Sequence, residues 1–217
     1  MTTKNMLKEG REKSSLIRKI LLIAFALSGF TALVYEVVWA RQLQVIFGST
    51  IYAFSTLLAG FMTGFALGAY LFGKISHKFK NPCNIFALLE LGIGAYALLA
   101  IYLVKLMPNL YLFMLGLPGF TVMQFMAAFV FVLIPATLFG ATWPVFTMLY
   151  STGKNHGKTA GTIYFSNSTG CAIGAIAAGF VIIPLLGLAK TLILAALLNI
   201  LIAILVFTLK RREKYGT

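Results

Sequence analysis

The 217 residues are 60% hydrophobic and only 11% charged, with a mean hydropathy of +0.93. That balance excludes an ordinary soluble domain and makes lipid the chain's main solvent. The formal charge of +13 matches a nucleic-acid binder's in size, but the basic residues crowd both termini and two short segments between long uncharged runs. This is the distribution of membrane loops, and no nucleic-acid partner is expected. Asp is absent and the acidic residues are Glu9, Glu12, Glu36, Glu90 and Glu213, so Asp-based metal sites, nucleophiles and general bases are excluded. Cys83 and Cys171 have no metal-ligand or redox spacing.

Residues 1–19, with Lys4, Lys8, Arg11, Lys13, Arg18 and Lys19, read as a basic cytoplasmic tail, unstructured at first and helical near the membrane. The run 20–40 is long enough to cross about 30 Å of hydrocarbon and has no small-x-small cleavage site, so it reads as an uncleaved signal-anchor span. Tyr35, Glu36, Trp39 and Arg41 stand at its far end, where Tyr and Trp fit an interfacial belt. A short external loop, 42–50, leads to a second span over 51–72. There Gly60, Gly64 and Gly68 recur every four residues and share one helix face.

The loop 73–82 carries Lys74, His77, Lys78 and Lys80 and is therefore expected on the cytoplasmic side. The third span, 84–104, holds Glu90 one to two turns from that side and exits at Lys105 and Pro108. Residues 109–150 are nearly uncharged and fit either one long crossing or two short ones. Charge decides between them. Lys154 and Lys158 mark the next loop as cytoplasmic, and so do Lys210, Arg211, Arg212 and Lys214 at the C-terminus. One crossing then satisfies every basic segment: an external interfacial piece at 109–117, followed by a fourth span over 120–150 kinked by Pro135 and Pro144. Such prolines are tolerated where neighbouring helices satisfy the freed carbonyls. The fifth span, 160–183, contains Gly161, Gly170 and Gly174, with Tyr164 and Asn167 as its large polar side chains. The sixth is 189–209, and 210–217 is a basic cytoplasmic tail. The expected fold is an all-α polytopic membrane protein with six transmembrane helices over 20–209 and both termini in the cytoplasm, in the cell membrane.

Several blocks occur in a recognisable order: SGFTALVYEVVWARQLQVIFGSTIYAFSTLLAGFMTGFALGAYLFGKIS, LLELGIG, PATLFGATWP, GTIYFSNSTGCAIGAIAAGF and PLLG. Together they resemble the membrane domain of spermidine-synthase-like membrane proteins, in which this domain precedes a soluble aminopropyltransferase-like domain. That membrane domain is in turn similar to one half of a major facilitator transporter. The loop Gly73-Lys74-Ile-Ser-His77-Lys78-Phe-Lys80 falls where facilitators carry G-x-L-x-D-R-x-G-R. His77 replaces the Asp and Lys80 the second Gly, so the facilitator loop's carboxylate interactions are not expected here. These 217 residues do not include the soluble synthase-like domain, and no nucleotide loop or nucleophile elbow is present. No enzyme activity is therefore expected from this chain alone, and no cofactor or metal.

The resemblance implies a transporter-like role toward a small cationic solute such as a polyamine. Its alternative is an anchor or accessory module for a separately encoded aminopropyltransferase-like partner. A carboxylate inside an apolar helix costs roughly 2.5–3.5 kcal/mol at mid-span, and such groups usually face a cavity or partner. Glu36 reads either as an interfacial group relieved by Arg41 or as a cation or proton site framed by Tyr35 and Trp39. Glu90 either snorkels to the cytoplasmic interface, pairs with a nearby Lys, or marks a second station, offset from Glu36 by on the order of 15 Å in depth. Tyr164 and Asn167, three residues apart, share a helix face. The glycine faces are helix-packing devices, and likeness to half a facilitator points them toward a second copy in a homodimer.

Overall fold

The computed structural model describes residues 3–48, 51–151 and 156–215. They form α1 (Thr3–Phe47), α2 (Ile51–Ile75), a 3-10 turn (Ser76–Lys78), α3 (Pro82–Met114), α4 (Phe120–Tyr150), α5 (His156–Ala177), a π-helical segment (Ala178–Ile182) and α6 (Ile183–Tyr215), with no strand among the described residues. Among the described residues five helical stretches are long and apolar enough to cross a membrane: Ser15–Ile46, Ile51–Lys78, Pro82–Met114, Phe120–Tyr150 and Gly157–Leu209.

The core lies in two clusters that show the helix directions. One joins Leu21 and Phe25 of α1, Phe86 of α3, Phe146 of α4, Ile163 of α5 and Val206 of α6. The other joins Tyr35 and Trp39 of α1, Phe61 of α2, Ala97 of α3, Val132 of α4, Ala178 after α5 and Leu192 of α6. In α1, α3 and α5 the first cluster is met before the second; in α4 and α6 the order reverses, and α2 runs parallel to α4. The first cluster lies at the end where Arg18, Lys74, Lys78 and Lys158 stand. Of the 18 Lys and Arg residues, Arg41, Lys105 and Lys190 alone fall in sequence toward the other, far end. At the basic end Arg18 donates to the Tyr150 carbonyl and lies 4.7 Å from the centre of its ring, tying α1 to the end of α4.

The longest apolar stretch, Gly157–Leu209, is not one straight rod. Ile163 shares a cluster with Ile202 and Val206, which a straight helix would separate from it by about 60 Å at 1.5 Å per residue. Two residues cause the reversal. Pro184 has no N–H for the Phe180 carbonyl and its ring crowds that turn; the chain there widens into the π segment Ala178–Ile182. Gly187 then adopts φ 78, ψ 170, a conformation that side chains oppose.

Helix contact rests on the glycine faces. Ser166 Oγ donates to the Leu22 carbonyl at 2.8 Å, while Gly170 and Gly174 lie so close to the Ala26 and Phe30 carbonyls that a methyl group has no room. Both numberings rise together, so α1 and α5 are parallel. In the same way Gly60 meets Val132, Gly64 meets Ala136, Gly68 meets Thr137 and Ala141, and Gly140 meets Phe65. In lipid, where apolar burial drives little association, such backbone approach is a main source of helix affinity. Each of these faces is filled within a single chain.

Three boundaries differ from those read in the sequence. α1 runs on through Phe47, so most of the predicted external loop 42–50 is helical; Gln42 and Leu43 are buried and hold it in the bundle. Ser49 and Thr50 lie outside the described residues, as do Met1, Thr2, Lys154, Gly216 and Thr217. The basic tails are also helical where described, from Thr3 and as far as Tyr215. α3 continues past Lys105 and Pro108 to Met114, which absorbs most of the separate interfacial piece expected at 109–117. Met107 and Met114 are buried, and the Tyr111 ring meets Phe120 edge-on at 5.3 Å. Gly116 and Gly119, with φ of 91° and 82°, then make the turn into α4.

Candidate functional site

Four side chains from three helices meet in the middle of the bundle. Ser28 Oγ of α1 donates to Glu90 Oε1 at 2.6 Å, and Asn199 Nδ2 of α6 donates to Glu90 Oε2 at 2.7 Å. The Tyr35 hydroxyl donates to Asn199 Oδ1 at 2.8 Å. Glu90, Asn199 and Tyr35 are wholly buried, and Ser28 nearly so. The helix period explains the assembly. Ser28 and Tyr35 lie two turns apart on one face of α1, so both point toward the seam between α3 and α6. There Gly94 admits α6 against α3: a methyl group in its place would press on the Ala196 carbonyl and the Ile200 and Asn199 side chains.

The polarity of the network is fixed by its chemistry. Tyr35 supplies a hydrogen to the amide oxygen, which leaves the Asn199 amino group to face the carboxylate. Both oxygens of Glu90 thus accept from neutral donors, and no Lys or Arg bonds to it among the described residues. A buried carboxylate without a cationic partner is costly in a membrane interior. Chemically, a group of this kind can take up a proton, pair with a cation or anchor the helices that donate to it.

Tyr35 also begins an aromatic group. Its ring stacks on Trp39 at 5.3 Å, and Trp39 is enclosed by Phe61, Tyr96 and Phe131 at 6.3, 6.2 and 5.7 Å. The Tyr96 hydroxyl donates to the Phe131 carbonyl at 2.5 Å. The belt reading of Tyr35 and Trp39 is therefore overturned: both are 0% exposed. They face the bundle because α1 packs on α2, α3, α4, α5 and α6.

The remaining sequence candidates are scattered. Glu36 is half-buried and Arg41 exposed, outside the network. Tyr164 is exposed with its ring 6.1 Å from Trp143, while Asn167 is half-buried, meets Gly29 and directs Nδ2 at Cys171 Sγ, 3.7 Å away. Gly73, Lys74, His77 and Lys78 are exposed at the basic end, where Ser76 Oγ donates to the Gly73 carbonyl at 2.8 Å. Glu90 does not snorkel. Ser28 and Asn199 were not singled out from the sequence, although an Asn within the apolar run 189–209 carried a readable signal: an amide inside lipid needs a partner.

A cleft of about 600 Å³ opens between the first turns of α2 and α4, lined by Tyr52, Ser55, Thr56, Gln124 and Phe125 among others. It carries no charged side chain and lies apart from Glu90.

No known family's sequence pattern matches the chain, and no solved structure matches it. Among curated proteins the chain is similar to a polyamine aminopropyltransferase of Corynebacterium efficiens, with 25% identity over 208 residues. The similarity covers 92% of this chain and 37% of that protein, so the chain spans well under half of its relative's length.

Proposed function

We propose that this chain is a transporter-like membrane protein that binds a proton or small cationic solute at Glu90, with a polyamine as the favoured solute. The observation that carries the reading is a fully buried carboxylate hydrogen-bonded, among the described residues, only by neutral donors. The alternating helix directions support six crossings, with the π segment and Gly187 turning the fifth into the sixth, an architecture like half of a major facilitator. All basic segments then fall on one side, which supports cytoplasmic termini through the positive-inside rule. The polyamine class comes from the similarity to an aminopropyltransferase of that name.

When the cation is a proton, the site rearranges without moving a helix. Oε1–H donates to Ser28 Oγ, and the Ser28 hydroxyl turns its own hydrogen to the Ala24 carbonyl one turn back. When it is an ammonium group, charge pairing replaces the proton and the seam between α1, α3 and α6 must open to admit it. Equilibrium binding of labelled spermidine to purified protein in nanodiscs, native against Glu90→Gln, tests the reading; saturable binding that the substitution leaves unchanged contradicts it.

A second reading is that the chain is the membrane module of an aminopropyltransferase-like system whose catalytic part lies elsewhere. The observation favouring it is coverage: the similarity takes in 37% of the relative and nearly all of this chain. Co-purification with a separately encoded synthase-like protein, together with absence of binding by the chain alone, favours this reading over the first.

A further inference from the structure

The buried face of α1 stays polar beyond the Glu90 network. Ser28, Thr31, Tyr35, Trp39 and Gln42 recur at three- and four-residue steps, all at most 9% exposed. Two atoms at the far end of this row have no hydrogen-bond partner among the described residues: the indole nitrogen Trp39 Nε1 and the amide oxygen Gln42 Oε1. One is a donor and the other an acceptor. They stand one turn apart on one helix, on the face that carries Tyr35, and the Trp39 ring stacks directly on Tyr35. Buried groups of this kind rarely go unpaired, and a pair with one donor and one acceptor matches a water molecule, which offers both. A bare ammonium group does not fit, because it cannot accept from the indole.

We infer that Trp39 Nε1 and Gln42 Oε1 form a water-binding site, through which water reaches the polar seam of α1 from the far end of the bundle. The inference rests on the reading of Glu90 as the proton- or cation-binding group and names the end at which that seam meets solvent. The rings of Phe61, Tyr96 and Phe131 enclose the Trp39 indole at 6.3, 6.2 and 5.7 Å.

The chain's two tryptophans, Trp39 and Trp143, make the test direct. In protein labelled with 15N-tryptophan and held in nanodiscs, saturation transfer from bulk water to each indole N–H is measured. The expected result is transfer to the Trp39 indole that falls several-fold in Gln42→Leu, with the Trp143 signal unchanged. Thermal midpoints supply a second arm. Trp39→Phe and Gln42→Leu each lower the midpoint if water is bound there, whereas in a dry site removing an unpaired polar atom raises it. Absence of transfer at Trp39, or a raised midpoint in both variants, overturns the water site. Spermidine binding measured on the same sample separates the two ideas: binding without transfer removes only the water site, and transfer without binding removes only the assignment of the solute.

Discussion

Asn199 Nδ2 lies 2.7 Å from Glu90 Oε2, joining the sixth helix to the third across a seam that Gly94 keeps narrow. Because Tyr35 supplies the hydrogen for Asn199 Oδ1, the amide is held with its amino group toward the carboxylate. One residue near the middle of α6 therefore ties together three helices. Asn199→Leu leaves Glu90 Oε2 and the Tyr35 hydroxyl without partners, at about 1–3 kcal/mol for each group. Tyr35→Phe strands one buried group, Asn199 Oδ1, at about 1–3 kcal/mol. Thermal unfolding in detergent is expected to place Asn199→Leu, which strands two groups, below Tyr35→Phe, which strands one.

Replacements at Glu90 separate folding from function. In Glu90→Gln the amide oxygen accepts from Asn199 and the amino group donates to Ser28, whose hydroxyl turns to accept it. The thermal midpoint is expected to stay within a few degrees of the native one while solute binding falls at least tenfold. Glu90→Ala has no such substitute and strands both donors, so its midpoint falls sharply. Equal stability of the Gln and Ala variants contradicts the network as described.

The glycines divide by what surrounds them. A methyl at Gly68 lands on the Thr137 carbonyl and one at Gly170 on the Ala26 carbonyl, whereas Gly161 has nothing within 4 Å. Gly68→Ala and Gly170→Ala are expected to destabilise by about 1–3 kcal/mol or more through overpacking. Gly161→Ala is expected to be neutral or to stabilise by up to about 1 kcal/mol through helix propensity. Denaturation of the three variants in one detergent checks the contrast.

The reversal at Gly187 has a topological consequence. With Cys83 and Cys171 replaced by serine, single cysteines placed at 158 and 190 are expected to react with an impermeant maleimide from opposite sides of oriented vesicles. Labelling of both from the same side contradicts the turn.

Much of this architecture was legible in the chain. The apolar runs and the basic segments between them set the helices and their order, because hydrocarbon thickness and loop charge act locally. The four-residue glycine spacing identified packing faces, but not which helix each face meets: Gly170 meets α1 and Gly68 meets α4, a choice made by the whole bundle. The polar site was only partly legible. Glu90 stood out as a carboxylate in an apolar run, yet a position two turns from a helix end fits snorkelling as well as burial. The choice depends on Ser28 and Asn199, distant by 62 and 109 residues. Tyr35 and Trp39 misled for a related reason, since a belt and a buried aromatic box draw on the same residue types.

Uptake of labelled spermidine into vesicles holding native protein, Glu90→Gln or Glu36→Gln tests the central claim most directly. Glu36 is the half-buried carboxylate outside the network and serves as the control. The account predicts saturable uptake by native protein, loss of at least tenfold in Glu90→Gln, and retention of most activity in Glu36→Gln. Uptake that survives Glu90→Gln, or no uptake by the native protein, contradicts it.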